Sequence, residues 1–417
     1  MSEKTQRDEL AVFGGPPAFG EGDALHVGRP NIGDRARFLE RVSGIFDRRR
    51  LTNDGPLVRE LERRLADALD VPHCVAVASG TVGLQVAARA LGLEGEVIMP
   101  SLTFVATAHA LEWLGIRPVF GDVDAATLTL DPARAADLVT PRTRALLGVH
   151  LWGRSCAVEA LERLAVDRGL RLVFDAAHAF GCTHAGRGIA RFGDVSVFSF
   201  HATKVVNSFE GGALATRDAE LAARARLVRN FGFAGYDEVV CLGTNGKMSE
   251  VSAAMALTSL ESLDQFLAAN RRNYGAYREA LATVPGVSVL GPDPEDGWNH
   301  HYVVLMVDRD RACLGRDELL DVLWAEGIFA RRYFYPGCHR MEPYDSRDPA
   351  AGRRLPVTER VLAALLLLPT GSAVGPAEVR TVTSTIRTAV NHGRAVREEL
   401  ARRRVSPRPP APSLRRP

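Results

Sequence analysis

Short apolar runs rich in β-branched residues alternate with segments of helical periodicity through the first half of the chain. The predicted strands are residues 74–79, 96–99, 118–123, 145–151, 171–175, 195–200 and 212–216. Between two of them, residues 158–167 repeat apolar side chains at helical spacing. This alternation predicts an α/β fold in which helices flank a mostly parallel sheet on both faces. In such folds, ligands bind at the carboxyl ends of the strands.

The pattern changes after Glu250. A long helical stretch follows, and a strand pattern restarts at residues 302–307. This change predicts a second, smaller C-terminal α/β domain. The predicted division is an N-terminal segment over 1–50, a large domain over 51–265, a small domain over 266–395 and a disordered basic tail over 396–417. The tail prediction rests on final residues that are rich in Arg, Pro and Ser.

Composition narrows the classes of function. The chain has 52 Lys and Arg against 50 Asp and Glu, a balance that argues against nucleic acid or a membrane surface as partner. The N-terminus lacks the pattern of a secretory signal, and apolar stretches fall short of the roughly 20 residues that cross a bilayer. Six scattered cysteines form no C-x-x-C pair, which argues against disulfides and a zinc site. We therefore expect a cytoplasmic protein with reduced cysteines, no metal and a small-molecule ligand.

Residues 195–212 carry the most informative polar cluster. An apolar strand ends at Ser199, Lys204 follows in a polar turn, and a glycine pair closes the segment. Partial burial at a strand end lowers the pKa of a lysine and makes its amine a nucleophile able to form a Schiff base. Taken alone, such a lysine is more often a solvated surface residue.

Two more features lie at predicted strand ends. Residues 171–175 end in Asp175, whose carboxylate could pair with a protonated pyridine nitrogen or cap a following helix. Residues 78–83 join a strand to a helix, where backbone N–H groups, the Ser79 hydroxyl and the helix dipole favour a phosphate. A plain helix cap has the same pattern. Together with Lys204, these features resemble the active site of fold-type I pyridoxal phosphate (PLP) enzymes.

More closely, the chain resembles the sugar aminotransferase family named after DegT, DnrJ, EryC and StrS. The resemblance runs from about residue 53 to residue 368. Its ordered motifs are residues 51–56, 79–81, 100–107, 149–153, 175–178, 199–204, 210–212, 245–250 and 331–336. The resemblance implies a fold-type I PLP-dependent transferase that forms a homodimer with shared active sites.

The resemblance also implies roles for individual residues. Lys204 would hold PLP through a Schiff base and, once released, move a proton between the donor carbon and the cofactor. Asp175 would pair with the pyridine nitrogen, Phe104 would lie against the ring, and His178 would stand beside the ring and its hydroxyl. The phosphate ligands would be Gly80, Thr81, Ser199 and, from the neighbouring subunit, Asn245. Seen alone, Phe104 fits core packing, His178 a helix start and Asn245 a turn.

The same resemblance bears on the substrate. His201 and the alanine after it stand where family members that act at position 3 of the sugar more often have Tyr-Pro, so His201 indicates a 4-keto substrate. Further substrate contacts are expected from Thr52, Arg331, Tyr333, Tyr335 and His339. The cations and aromatics of residues 331–344 suit a nucleotide diphosphate and a sugar, or form a solvated cationic loop. The expected reaction transfers an amino group from an amino acid, expected to be L-glutamate, to a dTDP-linked 4-keto-6-deoxyhexose in deoxyaminosugar biosynthesis.

Four alternatives stay open at this point. A 3-keto sugar aminotransferase would belong to the same family. The family's 3-dehydratase branch has histidine at the lysine position, so Lys204 argues against it. A nucleotide-sugar oxidoreductase or epimerase needs a glycine-rich turn after its first strand, whereas the glycine pair at 14–15 precedes every predicted strand. A non-catalytic regulatory protein would bind its ligand without turnover.

Overall fold

The computed structural model describes residues 3–291 and 297–405. The strands are β1 Leu25–His26, β2 His73–Val77, β3 Glu96–Pro100, β4 Arg117–Gly121, β5 Thr143–Val149, β6 Arg171–Asp175, β7 Thr183–His184, β8 Arg187–Gly188, β9 Val195–Ser199, β10 Gly212–Thr216, β11 Val287–Val289, β12 Val303–Val307, β13 Ile328–Phe329 and β14 Leu365–Leu368. The α-helices are α1 Arg35–Arg48, α2 Pro56–Leu69, α3 Gly80–Ala90, α4 Val105–Glu112, α5 Pro132–Asp137, α6 Val158–Arg168, α7 Ala219–Arg229, α8 Glu250–Glu261, α9 Leu263–Leu281, α10 Arg309–Ala312, α11 Arg316–Ala325, α12 Tyr344–Arg347, α13 Pro356–Ala364, α14 Pro376–Asn391 and α15 Gly393–Val405. Short 3₁₀ turns lie at Arg7–Glu9, Ala11–Phe13, Leu151–Gly153, Ile189–Arg191, Cys338–Arg340 and Ala351–Arg354.

The central sheet has the strand order β2-β10-β9-β6-β5-β3-β4. The strands from β9 to β4 pair in parallel, whereas β10 runs antiparallel to both of its neighbours. The predicted α/β fold with a mostly parallel sheet is therefore confirmed. The bounds of β6 and β10 agree with the prediction, and the other predicted strands of this sheet differ by at most two residues at either end.

The topology of this sheet brings the predicted site together. Strands β6 and β9 are parallel neighbours, so Asp175 at the end of one lies at the same edge as Ser199 at the end of the other. Strand β10 pairs Gly212 with both Ser199 and Val77, which places the turn after β2 at that edge too. Strands β3 and β10 are buried along their whole length, as expected for a sheet with helices on both faces.

A second sheet, antiparallel, has the order β11-β12-β14 and lies in the C-terminal part of the chain. It confirms the strand predicted at residues 302–307. The predicted domain boundary at 265 falls inside α9, and one apolar cluster extends from Leu10 to Leu400. In addition, β1 of the N-terminal segment pairs with β13. The division into a large and a small domain therefore stays a prediction.

The prediction of a disordered tail from residue 396 onward is wrong for residues 396–405, which belong to α15. Val396 and Leu400 lie four residues apart, hence on one helix face, and both are buried in the core. Helix α15 packs against α11 and α14. The basic composition of this segment did not predict a helix. Burial of just two apolar side chains is enough to pack one face of it against the core. Residues 406–417 lie outside the described part of the chain.

Candidate active site

Lys204 lies in the turn that follows β9, where its backbone N–H donates to the His201 carbonyl at 2.9 Å. Its Nζ lies 3.3 Å from the hydroxyl of Tyr302, which stands immediately before β12. Burial lowers the pKa of Lys204 from 10.5 to about 8, although the nearby Asp175 carboxylate opposes this shift. Near neutral pH such a lysine has roughly 300-fold more of its neutral, nucleophilic form than an ordinary lysine.

Asp175, the last residue of β6, carries a buried carboxylate held by two donors. Thr107 donates its hydroxyl to Oδ2 at 2.7 Å, and the Ala177 N–H donates to Oδ1 at 3.1 Å. The Thr103 hydroxyl in turn lies 2.9 Å from the Thr107 hydroxyl, within hydrogen-bond distance. Burial raises the pKa of Asp175, while the two donors and Lys204 pull it down. Residues 176–182 form turns and not a helix, so the carboxylate does not serve as a helix cap.

The turn between β2 and α3 has the geometry of a phosphate site. Ser79 caps the helix by accepting the Val82 N–H at 3.2 Å, and the first helical residues are Gly80 and Thr81. A Cβ at Gly80 would lie 2.9 Å from the Ser199 side chain, so only glycine permits this approach of the turn to the end of β9. The N-terminal N–H groups of α3 and the hydroxyl-bearing residues Ser79, Thr81 and Ser199 therefore lie at one edge of the sheet, where a phosphate could bind.

Phe104 and His178 line the same edge. Phe104 is 55% exposed and precedes α4, so its ring is not part of the core. His178 is buried, and its Nδ1 accepts the Trp152 N–H at 3.1 Å. Burial, with the neighbouring charges of Lys204 and His301, keeps the pKa of His178 well below 6.5. The ring is therefore neutral with its proton on Nε2, where it can donate to a cofactor or substrate oxygen.

These residues fit PLP. The buried Asp175 carboxylate suits a protonated ring nitrogen, the partly neutral Lys204 amine suits the aldehyde, and the glycine-lined turn suits the phosphate. Phe104 offers an exposed aromatic face to the cofactor ring. Lys204, Asp175 and His178 would provide the catalytic groups.

The structure brings part of the predicted substrate set to this edge. Tyr333 stacks on Phe334 at a centroid distance of 4.9 Å, and Phe334 lies 5.7 Å from Phe104 and 5.8 Å from His178. The Arg331 guanidinium lies 5.1 Å above the Tyr333 ring. This part of the loop therefore packs against the candidate cofactor site and is not merely a solvated cationic segment.

The other predicted substrate residues are placed differently. His201 bonds to Thr203 at 2.9 Å in the Lys204 turn, and Thr52 is exposed in the loop before α2. The guanidinium groups of Arg316 and Arg332 lie 4.9 and 4.5 Å from the centroid of the exposed Tyr335 ring.

His339 lies in the protein interior. It is 1% exposed, with Nδ1 bonded to the Ser101 hydroxyl at 2.6 Å and Nε2 to Glu359 at 2.8 Å. Both ring nitrogens are thus engaged by the protein itself, and His339 positions the loop without offering a free nitrogen to a substrate.

Asn245 is exposed on the segment that leads to α8. The next residue, Gly246, accepts the Ala78 N–H at 2.8 Å and donates to the Arg229 carbonyl at 2.8 Å. The backbone at Asn245 therefore lies beside the β2–α3 turn of its own chain. Whether its side chain serves a partner's phosphate stays a prediction.

Sequence reasoning missed three residues of the site. Thr107 and Phe334 lie inside recognised motifs, but their contacts with Asp175 and Phe104 depend on the folded arrangement. Tyr302 is 98 residues from Lys204 and belongs to no motif. Its only sequence signal is its place at the start of a predicted strand.

The comparisons with known proteins agree with this site. Residues 33–387 match the model of the DegT/DnrJ/EryC1/StrS aminotransferase family. A dTDP-4-amino-4,6-dideoxy-D-glucose transaminase of Shigella dysenteriae is 38% identical over 312 residues, 75% of this chain and 85% of that protein. A transaminase of the same name from Escherichia coli is 33% identical over 348 residues, which are 83% of this chain and 93% of that protein.

Solved structures give the same result. The crystal structure of DesI in the presence of its TDP-sugar product superposes with a TM-score of 0.89 and 51% identity, covering 95% of this chain and 99% of that chain. The structure of S. venezuelae DesV with a ketimine intermediate has a TM-score of 0.80 and 32% identity. It covers 87% of this chain and 98% of the DesV chain. These matches decide against an oxidoreductase, an epimerase or a non-catalytic regulator. The chain belongs to the DegT/DnrJ/EryC1/StrS aminotransferase family and is a PLP-dependent sugar aminotransferase.

Proposed function

We propose that this enzyme transfers an amino group from L-glutamate to position 4 of a dTDP-linked 4-keto-6-deoxyhexose. The observation that carries the proposal is the 51% identity with DesI, a protein whose crystal structure was determined with a TDP-sugar product. The two bacterial transaminases named for dTDP-4-amino-4,6-dideoxy-D-glucose also support position 4 and the dTDP carrier. His201 in the lysine motif is consistent with the same position.

Each residue of the candidate active site has its own role in this reaction. PLP, when bound, supplies the electron sink that makes the amino-acid α-proton removable. Asp175 keeps the positive charge of the ring nitrogen inside the protein, and Lys204 takes up and returns the proton at the reacting carbon. His178, neutral and protonated on Nε2, donates a hydrogen bond without adding charge. Arg331 and the aromatic pair Tyr333 and Phe334 lie beside Phe104 and His178, on the side that we propose for the nucleotide sugar.

The rival within the family is amination at position 3. A relative named dTDP-3-amino-3,4,6-trideoxy-alpha-D-glucose transaminase is 36% identical over 76% of this chain, so family membership alone does not choose the position. The decisive experiment offers purified enzyme, PLP and glutamate the 4-keto and the 3-keto dTDP sugars separately. Mass spectrometry follows the aminated product, and NMR assigns the carbon that bears nitrogen. Amination of the 3-keto sugar alone would overturn the proposal.

The donor is tested in the reverse direction. The dTDP-4-amino sugar is incubated with 2-oxoglutarate, pyruvate or oxaloacetate in separate reactions. Formation of the 4-keto sugar with 2-oxoglutarate, at a rate well above those of the other two keto acids, is expected if glutamate is the donor. Preference for pyruvate would instead make alanine the donor and leave the sugar assignment intact.

We further propose that the active form is a homodimer. The segment before Asn245 exposes large apolar side chains, which are Phe231, Phe233, Tyr236, Val239, Val240 and Leu242. Phe209 and Phe46 are exposed as well. Monomeric proteins rarely expose so many large apolar side chains in one segment, and a second copy of the chain would cover them by a two-fold arrangement. Sedimentation of the PLP-bound enzyme is expected to give twice the 45.2 kDa mass of the chain.

The expected location is the cytoplasm. The cysteines are all free thiols, in keeping with a reducing compartment. Within residues 3–291 and 297–405, no helix is both long and apolar enough to cross a membrane.

A further inference from the structure

Tyr302 contacts the reacting nitrogen of the candidate site. Its hydroxyl lies 3.3 Å from Lys204 Nζ, and its ring centroid lies 4.5 Å from that of His178. The residue is 6% exposed, so its hydroxyl faces the site interior and not bulk water. Nothing in the motifs of the sequence assigns it a role.

The segment that carries Tyr302 is fixed to both active-site turns. His301 donates Nε2–H to the Thr203 carbonyl at 2.8 Å, which ties the segment to the Lys204 turn. Asn299 donates its amide to the His178 carbonyl at 2.8 Å, which ties it to the Asp175 turn. The position of the phenol beside Nζ is therefore set by the fold and not by a mobile side chain.

We propose that Tyr302 is a positioning residue that holds the Lys204 amine beside the reacting carbon whenever that amine is not bonded to the cofactor. During transamination Lys204 must be released, take a proton and give it back. A four-carbon side chain with no partner would lose this position to rotation about its own bonds. The inference rests on the assignment of Lys204 as the cofactor lysine.

A phenol suits this task because it bonds to the lysine in both protonation states. It accepts a hydrogen bond from the ammonium form and donates one to the neutral amine. Burial, with the nearby Tyr333, raises the pKa of Tyr302 well above 10, so the phenol stays neutral while the proton moves on and off Lys204. The neighbouring side chains cannot bond to both forms: the Asp175 carboxylate accepts but does not donate, and His178, whose Nδ1 accepts from Trp152, can donate from Nε2 but not accept there.

The test replaces only the hydroxyl, through Tyr302→Phe. The matched control is Tyr274→Phe, which removes a phenol that donates to the Leu290 carbonyl at 3.3 Å, away from Lys204. The first readout is the rate of PLP capture by the PLP-free enzyme, followed by visible absorbance from pH 6 to 10. The ionisations of PLP itself are the same for all variants, so a difference between their pH profiles reports the ionisation of Lys204. The second readout is turnover with glutamate and the sugar.

In Tyr302→Phe the ammonium form of Lys204 loses a charge-assisted hydrogen bond, whereas the neutral amine loses only an ordinary one. The ammonium form is therefore destabilised more, and the capture midpoint, the pH at which PLP capture reaches half of its maximal rate, should fall by about one unit. We expect kcat to fall ~10-fold with KM for the sugar changed less than ~2-fold, because the phenol acts on the lysine and not on substrate binding. Tyr274→Phe should change neither quantity. An unchanged midpoint together with unchanged kcat in Tyr302→Phe would overturn the inference. Failure of the wild-type protein to capture PLP would instead overturn the assignment of Lys204.

Discussion

At the scale of single residues, burial sets the proton states on which the chemistry depends. It lowers the pKa of Lys204 to about 8, keeps His178 neutral and raises the pKa of Asp175. Because the neutral amine is the reactive form, PLP capture should accelerate as the pH rises through about 8 and then level off. Besides its two neutral donors and the nearby charge of Lys204, the buried Asp175 carboxylate would gain a directly paired cation in a protonated cofactor ring.

Lys204 can be identified directly because the sequence contains just two other lysines, Lys4 and Lys247. Lys4 is buried against Glu326, and Lys247 lies over the Phe231 ring. Borohydride reduction of the PLP-bound enzyme, followed by peptide mapping, should label Lys204. Lys204→Ala should remain folded, lose the label and lose ~10³-fold or more of its turnover. A label on either of the other lysines would contradict the assignment.

Asp175→Asn tests the carboxylate with little change of shape. A neutral amide stabilises the protonated ring nitrogen less well than a carboxylate, which weakens the cofactor as an electron sink, so we expect a ~100-fold loss of turnover. PLP affinity should fall much less, since the phosphate turn is intact. Asp194→Asn is the control, because its carboxylate accepts the Leu172 N–H at the opposite end of the same strand. Near-normal turnover of Asp175→Asn, measured at saturating PLP, would show that the carboxylate does not act on the cofactor ring.

Sequence reasoning located these residues because each lies at the end of, or in the turn after, a strand whose apolar pattern is unambiguous. It could not find Tyr302 or Thr107, whose roles arise from contacts between distant parts of the chain. His339 illustrates the converse. Its place in the cationic and aromatic stretch 331–344 suggested a substrate contact, but in the fold Ser101 and Glu359 bond to both of its ring nitrogens.

At the scale of secondary-structure elements, parallel strands were the easiest to predict because burial on both faces makes them continuous apolar runs. The bounds of β6 and β10 could be predicted from the sequence. The antiparallel direction of β10 could not, because the apolar pattern of a strand does not depend on its direction. Helix α15 was missed because charge dominates its composition. Its burial depends on the surfaces of α11 and α14, which the local sequence does not reveal.

The role of α15 can be measured through Val396, which is fully buried. Val396→Ala removes two methyl groups from the core and should lower the free energy of unfolding by about 2 kcal/mol in urea. Arg397→Ala, a change of the exposed neighbour on the same helix, is expected to alter stability by less than about 0.5 kcal/mol. Equal stabilities for the two variants would mean that residues 396–405 do not pack as described and that the predicted disorder was right.

At the scale of the whole molecule, the open question is which chain completes the phosphate site. Within one chain, Gly246 bonds to Ala78, so Asn245 could serve the turn of its own subunit. The exposed apolar segment before Asn245 instead favours a partner that covers it and receives the Asn245 side chain. The two arrangements differ in a way that mixing experiments can detect.

Lys204→Ala and Asn245→Asp should each be inactive, the second because its carboxylate repels the PLP phosphate. Mixed in equal amounts after subunit exchange, they should recover about one quarter of wild-type activity: half of the dimers are mixed, and one site in each then holds both native residues. Mixing Lys204→Ala with Asp175→Asn is the control, because both residues belong to the same chain's site and no native combination can form. Native mass spectrometry must first confirm the exchange. If the first mixture then stays as inactive as the control, Asn245 acts within its own chain, and the shared-site arrangement is excluded.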